Sequence, residues 1–270
     1  METIIIRSMV KIAIDSSLLT YGRAALNYNP STTYPTNGLL ARWDFDGDLT
    51  DSQGNNDFVN TGGTNVSYDT GKIGQCITFL PTDSPPAQIE VTTNTILEFP
   101  RKRAPFTMSW WWKGDPSTGV ASTKGFLNMR YYSDNGIYTD TIEMGTLFGD
   151  SDITNWHYIG RYPHNSTDVN LCNAASNPWE PETNTWYHTI YSYDPVTAKG
   201  YMYVNNGAFT LDTSTAVQTN EMSQPYPSYF RVDGTDSGDQ TATYIDMLYI
   251  YDRVLTADER SMLWNDGDGI

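Results

Sequence analysis

From Gly38 onward the chain repeats one pattern: short apolar and aromatic runs separated by clusters of Gly, Asn, Asp, Ser and Thr. Apolar residues hardly ever recur at three- or four-residue spacing, so amphipathic helices are nearly excluded. Runs of this kind between turn-forming residues predict β-strands. The clearest are Leu39 to Phe45, Cys76 to Phe79, Gln88 to Val91, Phe106 to Lys113, Trp186 to Tyr193, Gly200 to Val204, and Tyr244 to Asp252. They predict an all-β fold of two antiparallel sheets packed as a sandwich. Successive strand residues face opposite ways, so of Trp110, Trp111 and Trp112 one or two point away from the inter-sheet core. One short helix is expected near the end, where Thr256-Ala257-Asp258-Glu259 forms a capping box ahead of Arg260 to Trp264 and Gly267 stops it.

Residues 1–36 differ from the rest and read as an N-terminal arm and linker, leaving 37–270 as the sandwich domain. In the arm, Ile4, Ile6, Val10, Ile12 and Ile14 alternate with Arg7, Lys11 and Asp15, the pattern of a half-buried strand. Such a strand needs a partner, either an edge of its own sandwich or another subunit. Asn29 to Thr36 is polar and carries Pro30 and Pro35, as linkers do. Arg7 and Lys11 interrupt the apolar run, which lacks a small-residue cleavage site and does not read as a signal peptide. No stretch approaches the roughly 20 apolar residues that span a bilayer, so membrane insertion is not expected.

Charge narrows the partners. A formal net charge of -16 and a pI near 4.3 repel phosphate backbones, which argues against nucleic acid. Surplus carboxylates suit hard cations such as calcium, or simply keep the surface soluble. Cys76 and Cys172 are too few for a disulfide scaffold and are expected to be free and buried.

Four separated segments carry a family resemblance. The first is Gly38 to Asn55, containing Arg42-Trp43-Asp44-Phe45-Asp46-Gly47-Asp48. Gly71-Lys72-Ile73-Gly74-Gln75-Cys76-Ile77-Thr78-Phe79 follows, with Pro105 to Lys113 behind it. Trp186-Tyr187-His188-Thr189-Ile190 leads through Asp194 and Lys199 to Gly200-Tyr201-Met202-Tyr203-Val204-Asn205-Asn206-Gly207. Tyr244 to Leu255 then runs into the capped helix. Their order and spacing resemble laminin-G-like domains of the concanavalin A-like class, which implies a jelly-roll sandwich. The sequence departs from the family at Met247, where an acidic residue is usual, and in the longer, irregular stretch from Gly119 to Pro181.

Catalytic constellations are not evident. Concanavalin A-like glucanases place two carboxylates on one strand face, and their Glu-x-Asp-x-x-Glu arrangement is missing. Glu180 and Glu182 lie between or beside prolines unsuited to a central strand. His157, His164 and His188 lack a nucleophile in suitable context, and His188 reads as a packed strand residue. The expectation is a protein that is not an enzyme.

Two binding sites remain as expectations. First and last strands pair antiparallel in the resembled family, which brings Asp46 near Asp246, with Asp51 and Asn55 following on the same loop. Those four form a candidate shell for one structural calcium ion; alternatively the aspartates only shape turns. Tyr131, Tyr132, Tyr138, Trp156, Tyr158, Tyr162 and Trp179, all in the irregular stretch, are candidates for stacking on sugar rings.

Two functions fit. The first is a structural component of a phage virion, such as a capsid decoration, head fibre or tail-associated protein. Its arm would dock on other virion proteins or on copies of itself, and its sandwich would face outward on the virion surface and adhere to cell-surface or mucus glycan. The second is a stand-alone calcium-stabilised carbohydrate-binding module or adhesin.

Overall fold

The structure is a computed structural model that describes residues 33–63, 66–80, 87–91, 96, 104–114, 127–132, 138–148, 156–164, 167–170, 182, 184–197, 199–208, 229–233 and 243–270. The N-terminal arm, residues 1–32, lies outside the described residues, as do Trp179 and Cys172.

Two antiparallel sheets form the sandwich. The first runs in the order β13 (Gly207–Ala208), β12 (Lys199–Val204), β11 (Tyr187–Asp194), β6 (Phe106–Gly114), β15 (Thr243–Tyr251), β4 (Gln75–Phe79) and β3 (Ser67–Thr70), with β1 (Leu39–Trp43) also paired to β15. The second runs in the order β10 (Thr167–Asn170), β9 (Trp156–His164), β8 (Tyr138–Phe148), β7 (Leu127–Tyr132), β14 (Tyr229–Asp233), β5 (Gln88–Val91) and β2 (Val59–Asn60). All seven strands read from the sequence are present within a residue or two of their ends. The irregular stretch supplies the four strands β7 to β10, which the sequence reading left as loop.

The inter-sheet core is aromatic. Trp43, Phe58, Ile77, Phe79, Phe106, Met108, Trp110 and Trp112 meet Ile89, Val91, Phe230 and Val232 of the opposite sheet. Trp43 packs 4.7 Å from Phe58 and 6.1 Å from Phe230, ring centre to ring centre. Its indole N–H donates to the Asn56 carbonyl at 2.9 Å, so the buried donor is satisfied.

Strand alternation sends Trp111 to the outer face, as the sequence predicts, yet it is only 2% exposed. A second apolar cluster lies there: Trp111, Ile190, Met247, Tyr249, Tyr251 and Leu255, under Leu263 of the C-terminal helix α1 (Ala257–Trp264). Trp264 stacks on Trp111 at 5.3 Å with planes 11° apart. Helix α1 has the predicted capping box, the Glu259 amide donating to Thr256 and the Glu259 side chain accepting from the Thr256 amide. Arg253 fixes its entry by a two-pronged pair to Glu259 at 2.8 and 2.6 Å, which, more than the Thr256 bonds, holds that carboxyl down at about 2. Tyr34 and Pro35, at the end of the predicted linker, also pack down: Pro35 is buried, and Tyr34 sits 5.7 Å from Tyr249 with the Arg42 guanidinium 4.3 Å over its ring.

Trp111→Ala is therefore expected to destabilise as much as Trp43→Ala, each by about 3–5 kcal/mol, although the two side chains face opposite sides of one sheet. Urea unfolding of both variants checks this; a loss at Trp111 near that of a surface site would contradict the second core.

Candidate functional site

Strand β15 pairs with β6 along its length, but on its other side it pairs first with β4 (residues 243–245) and then with β1 (residues 248–251). At the changeover the register slips and Met247 adopts a φ of 48°, placing one extra residue in β15. This is a β-bulge. It puts Met247 in the outer cluster while Ile245 and Leu248 stay in the inner core.

Asp246 sits at that point, 0% exposed. One carboxyl oxygen accepts from the backbone amides of Lys72 (2.7 Å) and Ile73 (3.1 Å), holding the turn that feeds β4. The other oxygen is buried with no hydrogen-bond partner. Burial pushes the carboxyl up to about 7, opposed by the backbone amides of Ile73, Lys72 and Met247, with the charge of Asp46 adding to the rise. Gly71 is required here because a Cβ would lie 2.6 Å from the Asp246 oxygen and 2.5 Å from the Gln75 carbonyl.

The four residues proposed for calcium divide into two sets. Asp46 and Asp246 both hold the Gly71–Gln75 turn, Asp46 by accepting from the Gln75 amide at 2.6 Å. Asp51 is spent on its own loop: its carboxylate accepts from the amides of Arg42, Gln53, Asn55 and Asn56 and from the Asn56 side chain, at 2.9 to 3.4 Å. Asn55 enters that arrangement through its backbone. Among the described residues no three of His, Cys, Asp and Glu gather in a way that could hold a metal ion. As a set, the four residues do not fit a calcium ion, and the turn-shaping alternative accounts for their bonds.

Among the described residues, His188 and Cys76 are both buried. His188 is 2% exposed, stacked 5.0 Å from Trp111, and bonded to the Ser109 hydroxyl at 2.8 Å. Burial pushes it down to about 3, so the ring is neutral. Cys76 is free, and burial, reinforced by the charge of Asp246, raises its thiol to about 12, far from the range of a nucleophilic thiolate.

Of the sugar-stacking candidates, Tyr131 and Tyr132 end β7, Tyr138 begins β8, and Trp156, Tyr158 and Tyr162 lie along β9. Trp156 pairs with Phe148, Tyr158 with Thr146, and Tyr162 with Val169. The side chains of these candidates lie outside the described residues.

A different aromatic group is described in full. Lys113, near the end of β6, lies opposite Tyr244 of β15 in register, and Trp186 precedes β11 on the other side. The Lys113 ammonium lies 4.2 Å from the Tyr244 ring centre and 5.2 Å from that of Trp186. All three are half-buried on the outer face, beside the part that helix α1 covers. The Lys72 ammonium lies 4.7 Å over Trp111, two residues before Lys113 on the same strand. The sequence shows these residues, but their convergence depends on strand register, which it does not state.

Comparison with known structures agrees with the fold. Domain 4 of AbnA, an extracellular GH43 arabinanase from Geobacillus stearothermophilus in complex with arabinotriose, matches with a TM-score of 0.59 at 18% identity, over 86% of this chain and 98% of that domain. The binding domain of botulinum neurotoxin DC, in complex with rat synaptotagmin II, matches with a TM-score of 0.60 at 13% identity over 84% of this chain, which spans only 51% of that domain. The same binding domain in complex with SialylT matches with a TM-score of 0.58. No protein-family model and no curated protein sequence matches the chain.

Two predictions follow from the loop contacts. Asp51→Ala strands several amides at once and is expected to cost about 3 kcal/mol or more, read as a lowered denaturant midpoint. For Asp246 the folded carboxyl titrates higher than the unfolded one, so its contribution is present in acid and is lost as pH rises from about 4 through about 7. In Asp246→Asn that loss disappears, so thermal melts of wild type should fall relative to the variant across this window; parallel curves would contradict the buried-acid assignment.

Proposed function

We propose that this chain is a non-catalytic carbohydrate-binding β-sandwich module. The observation that carries the reading is its likeness to arabinanase domain 4, whose whole length it matches and which was seen with a bound oligosaccharide. The toxin binding domain seen with SialylT supports the same class of partner, from a second and separate protein. Inside the chain, a neutral buried histidine and a buried thiol with a raised pKa are poor nucleophiles and poor bases, which supports binding over catalysis. Half-buried aromatic rings beside polar groups are the surface that pyranose faces and hydroxyls require. The virion reading rests on the N-terminal arm and linker, of which residues 1–32 lie outside the described residues, whereas both structural neighbours support the carbohydrate reading.

Screening the full chain against immobilised neutral and acidic oligosaccharides, followed by calorimetry on the hits, tests the proposal. Saturable binding with a dissociation constant in the micromolar to millimolar range, and no release of reducing ends on prolonged incubation, is the expected result. Turnover of a bound glycan, or no binding across the whole screen, would overturn it.

A further inference from the structure

We propose that the row Trp186, Lys113 and Tyr244 on the outer face of the eight-stranded sheet is a binding site for sugars carrying a single carboxylate, a proposal that rests on the carbohydrate-binding reading above. The row is built by register. Tyr187 pairs with Trp112 and Tyr244 with Lys113, so Trp186 and Tyr244 flank the lysine from its two neighbouring strands. Neighbouring strands lie about 4.8 Å apart, which spreads the two rings over roughly 10 Å and makes a strip along which a sugar can lie. Trp186 and Tyr244 are each half-buried beside the lysine, so both keep some exposed surface, and aromatic rings so placed stack on the apolar face of a pyranose.

Lys113 supplies the charge. Its ammonium is held over both rings, and among the described residues no carboxylate pairs with it. An ammonium has three donors, so contact with the ring faces leaves hydrogen-bonding capacity for a ligand carboxylate. Lys72, 4.7 Å over Trp111 on the adjoining part of the face, places a second cation beside the first. These two lysines stand out in a chain of net charge -16. That overall charge repels densely charged polymers, while the local cations attract one carboxylate at short range, and together they select a singly charged acidic sugar. Helix α1 and Trp264 cover the neighbouring Trp111 and His188 but leave this row partly exposed.

The test is calorimetric titration of the full chain with methyl galacturonoside and with 3′-sialyllactose, each carrying one carboxylate, alongside their neutral counterparts methyl galactoside and lactose, for wild type, Trp186→Ala, Lys113→Gln and Trp156→Ala. At least one acidic probe is expected to bind more tightly than its neutral counterpart. Lys113→Gln should weaken acidic binding about tenfold and erase the preference, and Trp186→Ala should weaken it by a similar factor. Melting temperatures within a few degrees of wild type show that the variants remain folded. Methyl galacturonoside against 3′-sialyllactose separates uronic from sialic sources of the carboxylate. Equal binding of neutral and acidic probes, or loss in Trp156→Ala with none in Trp186→Ala, would overturn this site while leaving the carbohydrate reading intact. Failure of every glycan to bind would overturn both.

Discussion

The bond that the rest of the structure depends on is the grip of the Asp246 carboxylate on the Lys72 and Ile73 amides. Strand β15 lies in the middle of its sheet and must serve β6 on one side and two different strands on the other. Where β4 leaves off and β1 begins, backbone groups lose their ladder partners, and buried groups of that kind are costly unless something replaces them. Asp246 is that replacement, and the bulge at Met247 aims it. A buried carboxyl is an expensive device, and its raised pKa measures the expense. The geometry is obtained nonetheless, with one oxygen accepting from two adjacent backbone amides.

Much of the fold was legible in the sequence because seven strands carry short apolar and aromatic runs between turn-forming residues, and the capping box at Thr256 and Glu259 is a local signal that needs no tertiary context. Strands β7 to β10 were not legible. Strand β9 contains Gly160 and Pro163, both of which normally argue against a strand. Proline is tolerated there because the ladder to β8 ends at Arg161, so Pro163 has a partner strand on one side only. Neighbours in space, invisible in sequence, decide whether such a residue breaks a strand.

The candidate sites divide along the same line. Asp46, Asp51 and Asp246 were found by residue type, and residue type alone does not distinguish a cation ligand from an acceptor of backbone amides. Asp51 shows the difference, since its oxygens are surrounded by amides of its own loop. Lys113, Trp186 and Tyr244 are spread over more than a hundred residues and meet only through strand pairing. Alternation along Trp110, Trp111 and Trp112 sends one or two of them outward; that the outward one is Trp111, and that it is buried under a helix beginning at Ala257, depends on tertiary packing.

The pairing of β1 with β15 also sets a clock on synthesis. Leu39 and Tyr251 are hydrogen-bonded neighbours separated by 212 positions (251 − 39) in the chain. At roughly 5–20 residues per second on a ribosome, β1 emerges about 10–40 s before the strand it must join. During that interval the aromatic strands β4, β6 and β11 have no central strand between or beside them to complete the sheet. Nascent chains in this state expose Trp110, Trp112, Phe79 and Tyr191, residues that the finished protein hides completely. The larger sheet therefore closes only once β15 is available, and long-range pairing of this kind is slow and leaves strand edges open to association in the interval.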